Sequence, residues 1–392
     1  MSSHPAVLYI AGTGQHSGKT LVSLGLTMAL RAAGLETRYM KPVGQRTVSM
    51  DGKLVDEDVA LMINACHLRS APEAASPVTL PSGFTRDFLM HGGSVSALEQ
   101  RIRDGFAEVA EGADIIIAEG TGHAGVGSVV DLSNARVAAL LGAEVIIVTS
   151  GGIGKPIDEL CLNQALFARE GVSIFGVVFN KVLASKMKET RDPVYAWAEH
   201  HDQNVLGMIP YDGLLSKITV AQIAEETGAM VHSGQCSLGC LIEKFIVGAE
   251  SPHRFLAHFG PGVLALIPGD REDLVLAAVS AAHTAVSCDG RSSSAICLTS
   301  GILPHPNTMA IVKRTSIPLI AVEEGMFRAA SRISDLVAKM TAAELEKVDR
   351  AQELVSTHLD FSRLAERLGI CIRPPSEKGN AHVGSDLRPA QT

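Results

Sequence analysis

Residues 12 to 20 read Gly12-Thr13-Gly14-Gln15-His16-Ser17-Gly18-Lys19-Thr20. The run before them, Val7-Leu8-Tyr9-Ile10-Ala11, is apolar, and the stretch after them, 21–33, has a helical pattern. A glycine-rich turn between a buried strand and a helix start is a cradle for phosphate. Its backbone N–H groups point at one anion, and the helix dipole adds positive potential there. A lysine at position 19 reaches β- and γ-phosphates, and the Thr20 hydroxyl can ligate Mg²⁺. The spacing is one residue longer than usual: the position five before Gly18 is Thr13, and Gly12 lies six before it. The flanking strand and helix separate this loop from a chance cluster of glycines. They make a nucleoside triphosphate the first ligand to expect.

Other polar groups close the apolar runs that follow. Lys41, in Lys41-Pro42-Val43-Gly44-Gln45, could face the same anion as Lys19 or be a surface lysine at a turn. Asp56-Glu57-Asp58 precedes a helical stretch. Acidic residues there are either caps or, for Asp58 and also Asp56, Mg²⁺ ligands. Glu119 ends the run Ile115-Ile116-Ile117-Ala118 and leads into Gly120-Thr121-Gly122. A carboxylate at the end of a buried strand is costly unless paired or on a metal, which favours a Mg²⁺ ligand over a plain turn. Ser150-Gly151-Gly152-Ile153-Gly154 offers the pocket a far wall. Asn180, before Lys181, has the donor and acceptor that suit an adenine edge, and is also an ordinary turn residue. Further along, Pro268-Gly269-Asp270-Arg271 and Thr299-Ser300-Gly301 could bind an anion, but turn and cap chemistry explains each by itself.

The elements needed to position these groups are visible in the pattern. Apolar runs at 7–11, 37–41, 114–119, 144–149, 174–180 and 205–209 predict strands covered on both faces. Helical patterns fall at 20–33, 95–111, 134–141, 157–170 and 194–201. This alternation predicts an α/β fold with a doubly wound, mostly parallel sheet, its ligand site beyond the C-terminal ends of the strands. The pattern restarts near Ala229 with strands at 263–267, 294–299 and 318–322 and helices at 270–285, 307–315 and 327–339. Helices at 342–357 and 361–368 follow. The expected organisation is therefore a nucleotide-binding domain over 1–228, a smaller α/β domain over 229–370, and a disordered tail over 371–392 rich in Pro, Ser, Gly and charge.

Composition narrows the function classes. The 392 residues are 46% apolar, 19% charged and only 4% aromatic, with a net charge of −8. Neither a basic patch nor aromatic stacking is available in quantity, so nucleic acid is not an expected partner. No apolar stretch has membrane-span length and no signal peptide opens the chain, so a cytoplasmic protein without a membrane partner is expected. Seven cysteines, an odd number, are scattered as in reduced proteins. Cys236 and Cys240 form a lone pair with only His232 near enough to join them, too few ligands for zinc.

The loop 12–20, Lys41-Pro42-Val43, Glu119-Gly120-Thr121-Gly122, Asn180-Lys181 and Gly207-Met208-Ile209-Pro210 occur in one order. Together they resemble the dethiobiotin synthetase group of P-loop proteins, which includes the N-terminal domain of long bacterial phosphate acetyltransferases. The second unit resembles the DRTGG domain that follows it there, so the resemblance spans roughly 5–368. It implies MgATP as the ligand, with Gly12, Thr13, Gly14, Gln15, His16, Ser17, Gly18, Lys19 and Thr20 around the phosphates. It also implies Thr20, Asp58 and Glu119 at magnesium, Asn180 at the adenine, and Lys19 and Lys41 stabilising charge on a transferred phosphoryl group. Gln15 and His16 stand where the synthetase faces its diamine, and Gly44-Gln45 is closer to the acetyltransferase version. Thr299-Ser300-Gly301 departs from the Thr-Gly-Gly of the second domain's motif. An acetyltransferase catalytic domain would have to follow Thr392, so acetyl transfer is not expected of this chain alone.

The leading expectation is an ATP-binding regulatory protein whose second domain mediates oligomerisation or senses a small-molecule effector. The rival is an ATP-dependent ligase or carboxylase that activates a small carboxylate or carbamate as an acyl phosphate. A third reading is a partner subunit for a separately encoded acetyltransferase. By analogy with the P-loop group, a homo-oligomer is expected.

Overall fold

A computed structural model describes residues 5–284 and 292–369. Its contacts divide the chain into two units, one running through Pro210 and resuming at Ala351, the other spanning Tyr211–Arg350.

The first unit is built on a six-stranded, wholly parallel sheet. From one edge the order is Val205–Pro210, Ile174–Val182, Glu144–Ser150, Ala6–Gly12, Ile115–His123 and Thr37–Met40. The chain leaves Ala6–Gly12 for the far edge, returns beside it as Ile115–His123, then crosses to its other flank as Glu144–Ser150. The winding reverses at this first strand, so a crevice opens beyond its C-terminal end. Leu8, Ile10, Ile115–Ile117 and Val145–Val148 are fully buried, as strands covered by helices on both faces must be. The helices Lys19–Ala32, Val95–Ala110, Asn134–Leu140, Gly154–Arg169 and Met187–His200 match the expected ones to within a few residues, except the last. That helix begins seven residues earlier than the pattern suggests and runs through Pro193. A proline there removes one intrahelical hydrogen bond, which the buried Thr190, Val194 and Ala198 outweigh.

A hairpin the pattern reading did not foresee, Thr47–Met50 with Lys53–Asp56, turns on Asp51 (φ 51°) and Gly52 (φ 78°). It delivers Asp56, which caps the helix Glu57–Cys66 by accepting from the Asp58 backbone N–H.

The expected junction at 228/229 falls inside the second unit, and the expected second domain extends past Arg350 into chain that packs with the first. Close approach of small residues accounts for the return. A Cβ on Gly25 would lie 2.3 Å from the Val355 Cβ, and one on Gly207 would lie 2.0 Å from the His358 carbonyl oxygen. Asp360 N–H donates to the Leu206 carbonyl at 2.8 Å. Gly207→Ala therefore forces that carbonyl away. We expect a loss of about 1–3 kcal/mol and faster proteolytic cleavage near residues 358–360 than in the wild type.

The second unit carries a five-stranded sheet in the order Met230–Ser233, Leu319–Ala321, Ala295–Thr299, Val263–Pro268 and Lys244–Val247, only the first strand antiparallel to its neighbour. Alternation assigns its faces. Val263, Ala265, Ile267, Ile296 and Leu298 pack with Leu274, Val275, Ala278 and Met309. Leu264, Leu266, Ala295 and Cys297 pack with Val220, Ile223, Ala329 and Ile333. The expected tail over 371–392 lies outside the described residues.

Candidate functional site

The loop between Gly12 and Lys19 sits at the crevice where the sheet reverses. Thr13 N–H donates to the Val148 carbonyl at 3.1 Å, and the Thr13 and Thr149 hydroxyls pair at 3.1 Å. These contacts carry the loop across the C-terminal end of the sheet. Gly18 caps the helix with φ 99°, a backbone that only glycine adopts cheaply. A Cβ there would meet the Asn180 side-chain nitrogen at 1.9 Å. A Cβ on Gly12 would meet Ser17 Oγ at 2.5 Å and Lys19 Nζ at 3.0 Å. Both glycines thus allow close approach inside the loop, whereas Gly14 faces open space. Gln15 and His16 are exposed, His16 with φ 58°. Ser17 Oγ is buried and has no hydrogen-bond partner among the described residues.

Lys19 bends back over the loop, and its Nζ donates to the Gly14 carbonyl at 3.2 Å. Burial pushes its ammonium down to about 8; Glu119 and Asp58 pull the other way and Lys41 adds to the lowering. A lysine held over main-chain amides with few partners of its own is suited to an incoming anion.

Behind it lies a charged cluster. Thr20 Oγ1 donates to Glu119 Oε1 at 2.8 Å and lies 3.4 Å from Asp58 Oδ1. The Lys41 ammonium, 5% exposed, donates to Asp58, and lies 3.4 Å from Glu119 Oε1 and 3.8 Å from Asp56 Oδ1. Burial opposes its charge, but Asp58, Glu119 and Asp56 together hold its pKa well above the ordinary lysine value. At Asp56 burial wins instead: it lifts the carboxyl from 3.8 to about 6, against the pull of Lys41. Thr20, Asp58 and Glu119, expected at one metal, do converge, with Lys41 among them. Among the described residues no three His, Cys, Asp or Glu side chains surround one metal position. The cation at these carboxylates is the lysine.

Asn180, expected at an adenine edge, stands at the end of the strand Ile174–Val182, against the loop. It is 1% exposed, donates to the Ser17 carbonyl at 2.9 Å and accepts from the Lys181 backbone N–H at 2.9 Å. Lying beneath the loop, it has no exposed edge for a base. Lys181 joins the support, its Nζ donating to the His16 carbonyl at 2.8 Å.

Three positioning residues escaped the sequence reading. Tyr39 OH, fully buried, donates to Glu119 Oε2 at 3.0 Å and fixes the carboxylate from the sheet side. Asn134 accepts from Tyr9 OH and the Thr121 N–H and donates to the Thr121 and His123 carbonyls, tying down the turn after Glu119. Asn163 accepts from the Ala124 N–H at 2.7 Å and lies 3.3 Å from the Thr13 carbonyl. The signal available was a phenol or amide within an otherwise apolar pattern, as at Tyr9 and Tyr39.

A parallel, doubly wound sheet with a glycine-rich loop and lysine at its switch point defines a P-loop protein, here with a second, smaller α/β unit. The family comparison agrees: an AAA domain model matches residues 6–219 and a DRTGG domain model matches residues 222–336. The chain belongs to this AAA domain family, and its second unit is a DRTGG domain. Curated relatives include phosphate acetyltransferases of Pseudomonas aeruginosa, 27% identical over 381 residues, and Nitratidesulfovibrio vulgaris, 24% identical over 370 residues. Each alignment covers 92% of this chain but 52% and 51% of the respective relative, so the chain spans about half the length of the curated relatives it matches. Among solved structures, the septum site-determining protein MinD complexed with Mg-ADP from Pyrococcus horikoshii is 18% identical, with 54% of this chain and 83% of that chain covered at a TM-score of 0.36. The CBS and DRTGG domains of Clostridium perfringens pyrophosphatase are 16% identical, with 41% and 72% covered at a TM-score of 0.25. Among the described residues no helix is long and apolar enough to cross a membrane.

Proposed function

We propose that the first unit binds ATP with Mg²⁺ and that the chain is a regulatory module of the kind found in the N-terminal half of phosphate acetyltransferases. The observation that carries this reading is Lys19, buried over the loop and bonded to the Gly14 carbonyl, a contact that a triphosphate can replace. Thr20, Asp58 and Glu119 supply the hard oxygen donors that Mg²⁺ prefers, and phosphate and water complete its shell. The DRTGG domain supports oligomerisation or the sensing of a small effector, and a separately encoded acetyltransferase is a partner to seek by co-purification.

Calorimetry with ATP and Mg²⁺ tests the reading. The wild type should bind, and Lys19→Ala should lose about 10- to 150-fold in affinity, since a charge-assisted contact in a water-poor cradle is worth about 1.5–3 kcal/mol. No heat of binding from the wild type, with its fold intact by circular dichroism, overturns it.

The pH dependence provides a second check. With a free-state Lys19 near 8 and a polyphosphate favouring the charged form, binding must take up a proton above that pH. Affinity should be flat below pH 8 and fall as pH rises beyond it, by up to about tenfold per unit. Titrations in two buffers of different protonation enthalpy should show uptake approaching about one proton per site at pH 9.

A second reading, ATP-dependent activation of a small carboxylate or carbamate, is favoured by one feature: the buried Lys41 beside the metal oxygens, more positive charge than simple nucleotide binding requires. Here Lys19 and Lys41 would stabilise a transferring phosphoryl group. ADP release stimulated by an amine or carboxylic acid supports it; release indifferent to a broad panel of both counts against it.

A further inference from the structure

We infer that Lys41 is a built-in cation that fills the divalent-metal seat of the free protein, so that the metal enters only together with nucleotide. This deepens the MgATP reading and rests on it.

The argument is geometric. Asp58 and Glu119 are the carboxylates that converge with the Thr20 hydroxyl, and the Lys41 ammonium touches both. Glu119 Oε1 serves a hydroxyl and a cation at once: Thr20 Oγ1 donates to it at 2.8 Å while Lys41 Nζ lies 3.4 Å away. A divalent ion bound to those oxygens must displace the ammonium, because two cations cannot share donors at such distances without strong repulsion. Burial removes the usual escape. Lys41 is 5% exposed, Glu119 is fully buried, and Tyr39 closes the remaining Glu119 oxygen. Mg²⁺ alone would therefore have to expel a paired, desolvated lysine and shed its own water, which it does reluctantly. Mg²⁺ arriving on a triphosphate changes the balance. The phosphates bring negative charge that Lys41 can turn toward, so the ammonium exchanges carboxylates for phosphate instead of being left unpaired. Asp56, on the far side at 3.8 Å, keeps Lys41 anchored during that exchange.

The device gives ordered binding. The carboxylates stay neutralised when the site is without nucleotide, and free divalent cations do not load it wastefully. It also separates two roles that the sequence left merged: Lys19 answers to the phosphates, and Lys41 answers first to the metal ligands.

Manganese is the probe, read by the loss of its free-ion electron paramagnetic resonance signal, with ADP added in a second series. The wild type should bind Mn²⁺ alone at least about tenfold more weakly than with ADP present. Lys41→Met should bind Mn²⁺ alone at least about tenfold more tightly than the wild type does. Lys41→Arg, which keeps a cation in place, should stay like the wild type. If Lys41→Met does not fold, Lys41→Met/Asp56→Asn removes one buried carboxylate while an amide oxygen still caps the helix, and the same gain is expected. Equal Mn²⁺ affinity of the wild type and the methionine variants, without nucleotide, overturns the inference. Failure of the wild type to bind Mn²⁺ even with ADP overturns instead the MgATP reading on which it rests.

Discussion

Gly18→Ala should abolish nucleotide binding and cost the fold about 2–4 kcal/mol. Two independent penalties meet at this residue. Its φ of 99° lies in the left-handed region, where a Cβ clashes with its own backbone. Its would-be Cβ also lies 1.9 Å from the Asn180 amide nitrogen, which holds the Ser17 carbonyl at 2.9 Å. The new methyl group must push Asn180 aside, and a buried carbonyl and amide then lose each other. Gly14→Ala is the contrast: nothing lies within 4 Å of its would-be Cβ, so its stability should stay within about 0.5 kcal/mol of wild type. Denaturant unfolding of Gly18→Ala, Asn180→Ala and the double variant measures the coupling. The double variant should be less destabilised than the sum of the singles, because the clash is gone once Asn180 is truncated, while the backbone strain remains. Strict additivity would mean that Asn180 does not press on the loop.

What the sequence could and could not show divides along the range of the interactions. The loop, its strand and its helix are local, and Gly12, Gly18, Lys19 and Thr20 could be read in place. The six central strands are nearly unbroken apolar runs, which periodicity recognises well. The hairpin over 47–56 carries one legible signal and one weak one: Asp51-Gly52 is a strong two-residue turn signal, but the flanking Thr47–Met50 alternates too weakly to mark a strand. The cluster around Lys41 is of another kind. Residues 41, 56, 58 and 119 meet only because the strand Thr37–Met40 lies beside Ile115–His123, with Met40 facing Ala118 in register. No local pattern says whether Lys41 faces phosphate or carboxylate. Asn180 likewise looked like a base reader because its chemistry allows it, and only the packing of Gly18 against it reveals a brace. The return of the chain after Ala351 depends on the small surfaces of Gly25 and Gly207, which in sequence are only two glycines among 37.

Lys41→Met should be the most damaging of the charge substitutions, and its cost should depend on pH. The methionine fills the aliphatic space of the lysine stem but removes the only ammonium seen among Asp56, Asp58 and Glu119 in the described residues. Removing one partner from a buried ion pair leaves an uncompensated charge and costs about 3–5 kcal/mol. At neutral pH the variant should unfold at lower denaturant than the wild type by that amount. Acid should narrow the gap. Asp56 already has its pKa raised from 3.8 to about 6, so the fold prefers its neutral form, and the associated penalty is present above about 6 and relieved as pH falls toward 3.8. Without Lys41 that upward shift must grow, since the lysine is the one group that lowers it by direct charge. The Asp56 part of the stability difference between wild type and variant should therefore be largest above the variant's own, higher Asp56 pKa and shrink as pH falls from there toward about 6, where protonation does what the ammonium did. Saturating Mn²⁺ should recover part of the loss at neutral pH, because a divalent ion between Asp58 and Glu119 replaces the missing charge and stabilises by mass action. A gap between wild type and variant that is constant from pH 8 to pH 4 would mean that the carboxylates repel one another little, and that Lys41 acts through packing alone.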